Sequence, residues 1–331
     1  MSRVLLTHSP AARQLYYGDK ALTQLQQLAD VRLHHAPEPL DTAALIEASQ
    51  GCAIIVSDRA TAGTAELFEH AEDLVAFVRC AVDIRTIDVA AASANGVLVT
   101  RASPGFITSV AELALGMMVD LARGLTTAAL SYRSGATPAA TMGRQLAGST
   151  LGIIGYGAIG SHLAGLGKAL GMHVLVHDPY KTINEPGITV LGLDDLLQRS
   201  DFAVCLAIAN AETENLLGAA QFAQMSPTAY FINLSRGNLI DENALQAALE
   251  NGQIAGAAMD VGRAPDQMPS PALAALPNVL ATPHIGGLTP TAIEHQALET
   301  VRQVEALLQG EIPPGAVNAE QATRLARLRH E

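Results

Sequence analysis

The sequence lacks tryptophan and is poor in the other aromatic residues, with six tyrosines and six phenylalanines among 331 residues. Hydrophobic residues nevertheless make up 49% of the chain, so a core must be built mainly from alanine, leucine, valine and isoleucine. Charged residues make up only 16%, which argues against disorder driven by charge. The length suits two domains of roughly 100–200 residues each.

Basic residues are also few, since 20 lysines and arginines stand against 32 aspartates and glutamates, for a formal net charge of −12. The chain has no run of lysine or arginine, so we expect no nucleic-acid partner. Cys52, Cys80 and Cys205 lie far apart in apolar surroundings, without the cysteine and histidine spacing of a zinc site. We therefore expect no metal and three buried, reduced thiols, as in a cytoplasmic protein.

Long hydrophobic runs are missing as well. The apolar stretch at the N-terminus, in the sequence MSRVLLTH, is too short for a signal peptide. The most apolar helix candidate, Val110–Arg123, is interrupted by Glu112 and Asp120 and falls short of the ~20 residues that span a bilayer. This segment predicts a buried helix, and a membrane is not an expected partner.

Short apolar runs alternate with helical stretches, a pattern that predicts an α/β fold with parallel sheets. The expected strands are Ala53–Val56, Gly152–Ile154, His173–Val176, Phe202–Leu206, Tyr230–Leu234, Ala255–Met259 and Val279–Ala281. The clearest helices are Leu22–Ala29, Ala158–Leu170, Leu193–Arg199 and Glu242–Asn251. We expect Asp241 to cap the last helix and Gly252 to end it. Residues 134–147 predict a loop, and residues 312–331 predict a linker and a final polar helix.

The segment GIIGYGAIG, residues 152–160, is the strongest single motif, because it follows a predicted strand and opens a predicted helix. Gly155 allows a tight turn, Gly157 lets the backbone approach a pyrophosphate, and Gly160 lets helix and strand pack closely. Asp178 follows roughly 20 residues later, at the end of the next strand, where it can bind the ribose hydroxyls. The motif predicts dinucleotide binding.

The residue type at Asp178 favours NAD over NADP, because a carboxylate repels a 2′-phosphate. Lys181 lies close by and could offset that repulsion, so NADP stays an alternative.

Arg236, Asp260 and His284 each follow one of the last three predicted strands. Ligands bind beyond the carboxyl ends of strands in a doubly wound sheet, so we expect all three at the same crevice as the glycine turn. Reduction of a 2-keto acid needs a cation that holds the carboxylate and polarises the carbonyl, which the bidentate fork of an arginine provides. It also needs a proton donor, and histidine titrates near neutral pH.

These motifs together resemble the D-isomer-specific 2-hydroxyacid dehydrogenase family over roughly residues 75–290. Besides the glycine turn, the motifs that carry the resemblance are Thr86-Ile-Asp88, Val110-Ala-Glu112, Asn233-Leu-Ser-Arg-Gly237, Leu239-Ile-Asp-Glu242 and Thr282-Pro-His284. The resemblance implies Arg236 as the cation that orients the substrate and His284 as the acid/base. It implies further residues around NAD, namely Ala158, Ile159, Asp178, Leu234, Ser235, Asp260, Gly286 and Gly287.

The chain departs from the family pattern at its third catalytic residue, usually a glutamate in a Glu-Pro context. The position that matches it is Pro265, and Asp266 is adjacent. A one-residue insertion would align Asp266 with the glutamate, so we predict Asp266 as the acid beside His284. The alternative is a solvent-facing loop aspartate, in which case Gln267 could take its place.

A second departure concerns the loop that the resemblance assigns to the substrate carboxylate, with Ala81, Val82, Asp83 and Arg85. The family usually has a glycine where Asp83 stands and an acid where Arg85 stands. These two residues could simply pair with each other. Alternatively, Arg85 and Arg59 could bind a second anionic group of the substrate.

We therefore predict two Rossmann-like, doubly wound α/β domains with an interdomain cleft. The substrate domain would comprise residues 1–100 and 291–331, and the NAD-binding domain residues 101–290. The expected function is hydride transfer between NAD(H) and C2 of a D-2-hydroxy acid or 2-keto acid. The resemblance also implies a homodimer, and the apolar Val110–Arg123 helix with its following loop is the expected subunit interface. Two alternatives stay open: an NAD-sensing interaction protein on the same fold, and a formate- or phosphite-type dehydrogenase, which Gln267 would suit.

Overall fold

The computed structural model describes residues 3–330, so the first two residues and Glu331, which the predicted substrate domain includes, lie outside the described residues. The chain divides into two compact units. The first runs to Phe106 and resumes at Leu288, and the second is Ile107–Gly287. The first unit is therefore built from two separate segments of the chain.

The first unit contains a five-stranded parallel sheet in the order β2-β1-β3-β4-β5. Its strands are β1 (Arg3–Leu6), β2 (Asp30–Leu33), β3 (Ile54–Ser57), β4 (Ala76–Arg79) and β5 (Leu98–Arg101). Its helices are α1 (Pro10–Tyr16), α2 (Asp19–Leu28), α3 (Thr42–Ser49), α4 (Ala65–His70), α5 (Val89–Ala94) and, from the C-terminal segment, α13 (Pro290–Leu308). Helix α13 contributes Ala297, Val301, Val304 and Leu307 to the core on one face of this sheet.

The second unit contains a seven-stranded parallel sheet in the order β12-β11-β10-β9-β6-β7-β8. Its strands are β6 (Thr150–Ile154), β7 (His173–His177), β8 (Ile188–Val190), β9 (Phe202–Cys205), β10 (Tyr230–Asn233), β11 (Gly256–Met259) and β12 (Val279–Ala281). Its helices are α6 (Ile107–Arg123), α7 (Leu125–Arg133), α8 (Ala158–Ala169), α9 (Leu193–Arg199), α10 (Ala219–Phe222), α11 (Glu242–Glu250) and α12 (Pro271–Ala274). The strand order reverses between β6 and β9, which is where a doubly wound sheet binds its ligand.

The seven predicted strands and the four clearest predicted helices are all present, with ends that differ by at most a few residues. The side chain of Asp241 accepts hydrogen bonds from the backbone N–H groups of Asn243 and Ala244, so the predicted cap of α11 is confirmed. Gly252 follows α11 in a left-handed conformation, with φ of +65°, as predicted. The three cysteines are buried and free.

Two predictions about helices need correction. The sequence predicts no element between Arg123 and residue 134, but this segment forms α7, a helix with no buried residue. The final polar helix is instead a 3₁₀ helix, Thr323–His330, and Leu328 on it is buried in the core of the first unit.

Helix α6 is buried within the second unit, as its apolar sequence predicts, through residues that include Val110, Ala114 and Met118. Within residues 3–330, no single helix is long and apolar enough to cross a bilayer. Only α6 and α7 taken together reach that length and composition, and they meet at a 68° bend.

Candidate active site

The glycine turn joins β6 to α8 at the strand-order reversal of the second unit. Gly155 has φ of +96°, and a Cβ there would lie 2.6 Å from the Cα of Ala207, the residue that follows β9. A Cβ on Gly160 would lie 2.3 Å from the carbonyl oxygen of Gly155. Both positions therefore require glycine to let the turn close and the helix pack.

Gly157 differs from the other two glycines, because its φ is −76° and a Cβ there would meet nothing within 4 Å. Nothing in the fold requires glycine at this exposed position, and the open space lies at the N-terminus of α8, beside Ala158 and Ile159. The first N–H groups of a helix have no partner within the helix and attract anions. The turn thus fits the pyrophosphate of a dinucleotide.

Asp178 lies at the end of β7, beside the glycine turn. Its carboxylate accepts hydrogen bonds from the N–H of Tyr156, at 2.8 Å, and of Tyr180, at 3.0 Å. The first of these bonds ties Asp178 to the turn itself. Asp178 is therefore fixed beside the glycine turn, where the sequence predicted a ribose-binding acid.

Arg236 directly follows the end of β10, and its backbone is held by the buried side chain of Asn233. The side chain of Arg236 is half-buried and donates from Nη1 to the carbonyl of Ser235 at 2.7 Å. Ser235 in turn donates from its hydroxyl to the carbonyl of Ala207, beside the glycine turn, and Leu234 is buried. These bonds connect the predicted substrate cation with the predicted cofactor site.

Gly237 brings this strand end against a turn formed by residues 262–268. A Cβ on Gly237 would lie 2.1 Å from the carbonyl carbon of Gly262, so only glycine allows the two backbones to come so close. The close approach places Arg236 next to the turn that contains Asp266.

Asp260 is 2% exposed and lies at the end of β11, between the strands that carry Arg236 and His284. Its carboxylate accepts three hydrogen bonds: from the hydroxyl of Thr282 at 2.6 Å, and from the N–H groups of Ile285 at 2.8 Å and Gly286 at 2.7 Å. Asp260 therefore holds the loop on both sides of His284. Gly286 has no room for a side chain, since its Cβ would lie 2.9 Å from Oδ2 of Asp260.

His284 follows β12 in a left-handed backbone conformation, with φ of +55°. Its Nδ1 lies 3.0 Å from the backbone carbonyl oxygen of Asp266. A carbonyl oxygen can only accept a hydrogen bond, so Nδ1 is the donor and carries the hydrogen. The predicted neighbour of His284 is thus present, but the contact comes from its backbone carbonyl.

The turn that presents this carbonyl is unusual, because Asp266 and Gln267 both have positive φ, of +57° and +59°. The side-chain oxygen Oε1 of Gln267 is buried and lacks a hydrogen-bond partner among the described residues. Within residues 3–330, no group of three or more histidine, cysteine, aspartate or glutamate side chains is arranged to hold a metal ion.

The predicted substrate loop belongs to the first unit and follows β4. Arg85 donates from Nη2 to the carboxylate of Asp83 at 2.7 Å and from Nε at 3.0 Å, so the simple pairing of these two residues is present. This hydrogen bond to a carboxylate raises the pKa of Arg85. Ala81 is buried, Val82 is half-buried, and the N–H of Ala102 binds the carbonyl of Ala81.

Sequence reasoning missed the fully buried arginine at the end of β4. Arg79 donates to the backbone carbonyls of Asp58, at 2.5 Å, and Thr61, at 2.7 Å, and to the hydroxyl of Thr86, at 3.1 Å. Burial lowers its pKa to about 10. Arg79 therefore ties the loop after β3 to Thr86, which directly follows the predicted substrate loop. No local motif indicated this role.

Residues 115–286 match the family model described as D-isomer specific 2-hydroxyacid dehydrogenase, NAD binding domain. The chain is 32% identical over 311 residues to a glyoxylate reductase of Korarchaeum cryptofilum, covering 91% of this chain and 93% of that protein.

Other relatives are longer. A D-3-phosphoglycerate dehydrogenase of Synechocystis is 37% identical over 263 residues, which are 78% of this chain and 47% of that protein. This chain thus spans about half the length of the phosphoglycerate dehydrogenases of Synechocystis and Methanocaldococcus jannaschii that it matches. Among solved structures, apo D-lactate dehydrogenase from Escherichia coli superposes with a TM-score of 0.82 at 27% identity, covering 96% of this chain and all of that one.

Proposed function

This chain belongs to the D-isomer-specific 2-hydroxyacid dehydrogenase family and uses NAD, and on that premise we propose that it interconverts a short 2-keto acid and its D-2-hydroxy acid. A relative that it matches over nearly its whole length is named a glyoxylate reductase, which makes a short keto acid the first candidate. The two other functions considered above, an NAD sensor and a formate-type dehydrogenase, predict no turnover of keto acids.

One observation supports the proposal most. Arg236 and His284 lie at the carboxyl ends of β10 and β12, on either side of β11, at the same edge of one sheet as the glycine turn. A cation and a proton donor at that edge are the two groups that keto-acid reduction requires of the protein.

In the proposed mechanism, the guanidinium of Arg236 binds the substrate carboxylate and polarises the C2 carbonyl. His284, whose Nδ1 donates to the carbonyl of Asp266, gives the proton on Nε2 to the carbonyl oxygen as hydride reaches C2. C2 takes the hydride and the carbonyl oxygen takes the proton, so the keto group becomes a hydroxyl group. In the reverse reaction the hydroxyl proton returns to Nε2.

The residues of the glycine turn fit NAD. Gly157 and the N-terminus of α8 would hold the pyrophosphate, and Asp178 the adenosine ribose. Bound NAD supplies or accepts the hydride. Three points stay predictions. The residues predicted to contact NAD are Ala158, Ile159, Leu234, Ser235, Gly286 and Gly287, and those predicted to bind substrate are Ala81, Val82, Asp83 and Arg85. The third is a cytoplasmic location.

The test is to mix the purified protein with NADH and a panel of glyoxylate, hydroxypyruvate, pyruvate, 2-ketoglutarate and oxaloacetate, and to follow the loss of reduced-nicotinamide absorbance. We expect turnover of a short keto acid that falls at least ~10²-fold in His284→Ala, since general acid catalysis contributes about that much. Arg236→Lys should raise KM strongly, because a lysine cannot form the bidentate contact.

The control is Arg199→Lys, an exposed arginine at the end of α9 in the same unit. Tight NADH binding without turnover of any keto acid would contradict the proposal and favour an NAD sensor. NADH formation from formate or phosphite would favour the third function instead. Turnover of dicarboxylic keto acids that weakens in Arg85→Ala would revive the idea of a second anion site at Arg85.

A further inference from the structure

We propose that the backbone carbonyl of Asp266, rather than a side-chain carboxylate, is the group that orients the imidazole of His284. The inference rests on the proposed function and names a positioning residue for it. It assigns the role of the family's missing glutamate to a backbone group of this chain.

The direct contact is the 3.0 Å distance between Nδ1 of His284 and the carbonyl oxygen of Asp266. Because that oxygen accepts only, it fixes the hydrogen of the neutral imidazole on Nδ1. Nε2 is then the atom that exchanges the proton with the substrate. A carboxylate in the same place would fix the same tautomer, so the backbone group is chemically sufficient for orientation.

The turn points this carbonyl at His284 through two consecutive left-handed residues, Asp266 and Gln267. The N–H of Gly262 binds the carbonyl of Gln267 at 2.8 Å, and the N–H of Ala264 binds that of Met268 at 3.1 Å. Left-handed backbone is unfavourable for a non-glycine residue and persists only where the surroundings enforce it. The turn is therefore held in this shape by its hydrogen bonds.

Glu242, the first residue of α11, connects the start of the turn with the segment that directly follows it. Its carboxylate accepts from the N–H of Arg263 at 2.9 Å and from the hydroxyl of Ser270. The guanidinium of Arg263 adds a second anchor, since it donates to Glu214 at 2.9 Å and to the carbonyl of Ile240. The turn that carries the Asp266 carbonyl is thus held in place by the hydrogen bonds of Glu242 and Arg263.

The loop of His284 is fixed from the opposite side by Asp260, which accepts from Thr282, Ile285 and Gly286. The imidazole therefore lies between its own loop, which Asp260 holds, and the turn of residues 262–268. Neither of these contacts places a carboxylate on the imidazole itself. In the second unit, the charged groups on the elements around His284 are Asp260 behind its loop, Asp266 and Arg263 in the turn, and Arg236 at the end of β10.

The experiment separates the backbone of Asp266 from its side chain. Asp266→Asn and Asp266→Gly remove the carboxylate but tolerate positive φ, whereas Asp266→Val keeps neither the carboxylate nor the left-handed backbone. Gly252→Val is the matched control, because it places the same β-branched residue at a φ of +65° in the same unit, at an exposed helix end. Circular dichroism and Tm verify that each variant is folded.

Two readouts are measured on the full chain. The first is the tautomer of His284 by ¹H–¹⁵N NMR, with His284→Ala used to assign its signals. The second is the pH dependence of kcat on the best keto acid. For Asp266→Asn and Asp266→Gly we expect the Nδ1–H tautomer and the pH of half-maximal activity to stay as in the parent protein.

For Asp266→Val we expect a mixed tautomer and a kcat roughly 10–100-fold lower, the loss typical of a misplaced catalytic group. Gly252→Val should change neither readout. A shift of the half-maximal pH by about one unit or more in both Asn and Gly variants, as on loss of a charged neighbour, would overturn the proposal in favour of the carboxylate. So would an Nε2–H tautomer in the parent protein. If no keto acid is turned over, the proposed function fails, but the NMR readout still decides this inference.

Discussion

At the scale of single residues, Asp260 has a role that its sequence motif does not describe. The resemblance placed it near NAD, whereas the structure shows both of its carboxylate oxygens occupied by the loop that carries His284. An aspartate that accepts three hydrogen bonds at 2% exposure is chiefly a brace for that loop. Contacts with NAD remain compatible with this role.

We predict that Asp260→Asn lowers kcat by about 10–100-fold, because an amide group would face N–H donors and displace His284. Thr282→Val removes only the hydroxyl donor and should have a clearly smaller effect. Steady-state kinetics with Tm measurements check this. Equal losses in both variants would show that the backbone bonds to Ile285 and Gly286 contribute little.

His8, in the first unit, gives a prediction about stability. It is 1% exposed, its ring lies 5.0 Å from that of Tyr17 at an interplanar angle of 55°, and its Nδ1 has no hydrogen-bond partner among the described residues. Burial lowers its pKa to about 4, with the charges of Asp58 and two arginines as smaller influences. The unfolded chain, where histidine titrates near 6.5, therefore binds this proton first.

The neutral form of His8 should thus contribute fully to the free energy of unfolding above pH 6.5. This contribution should fall as the pH drops toward about 4, with a loss on the order of 3 kcal/mol from this residue alone. His8→Asn should flatten that part of the profile, and His173→Asn, at an exposed histidine, should not. Urea unfolding between pH 4 and pH 7 measures the difference. Parallel profiles for His8→Asn and the parent would contradict the assignment.

At the scale of elements, the glycine turn allows a matched pair of substitutions. Gly155→Ala would force a side chain to within 2.6 Å of Ala207 at a φ of +96°, so we expect a loss of Tm or of soluble protein. Gly157→Ala meets nothing in the fold, so Tm should be kept while NADH binding weakens at least ~10-fold. Thermal melts and NADH fluorescence titration test both. Normal NADH binding by Gly157→Ala would place the pyrophosphate elsewhere.

Elements with a strong local signal were predicted well from sequence. Asp241 begins α11 and Gly252 follows its end, and both were predictable because helix caps and left-handed glycines depend on residues close in sequence. Helix α7 was missed, because its apolar residues face solvent and give no buried stripe. The sequence predicted the side chain of Asp266 beside His284, and the structure shows a contact from the backbone carbonyl of Asp266. A motif specifies side chains, whereas the positive φ of Asp266 is set by the hydrogen bonds of its own turn.

At the scale of the whole molecule, we propose a homodimer, which the resemblance to the family also implies. Helix α6 is buried within its own unit, but α7 exposes Leu125, Leu130 and Tyr132 at 53%, 58% and 66%, and Met142 follows at 99%. Apolar residues grouped on one exposed helix and its loop typify a subunit interface.

We therefore expect Leu130→Glu to produce a monomer with little change in secondary structure. Ile312→Glu, at a leucine-sized residue of 58% exposure in the first unit, is the control and should leave the assembly intact. Light scattering coupled to size exclusion gives the mass of each. A dimeric Leu130→Glu, or a monomeric parent protein, would exclude α7 as the interface.

The discontinuous first unit has a consequence for how the chain is made. Its edge strand β5 is covered by the C-terminal segment, where Thr100 pairs with Ala316 and the side chain of Asn318 binds the backbone of Val97 and Val99. A ribosome delivers β5 long before residue 318, with the whole second unit synthesised in between. The edge of β5 therefore stays unpaired in the nascent sheet until residues 316–318 are synthesised, after the whole NAD-binding unit.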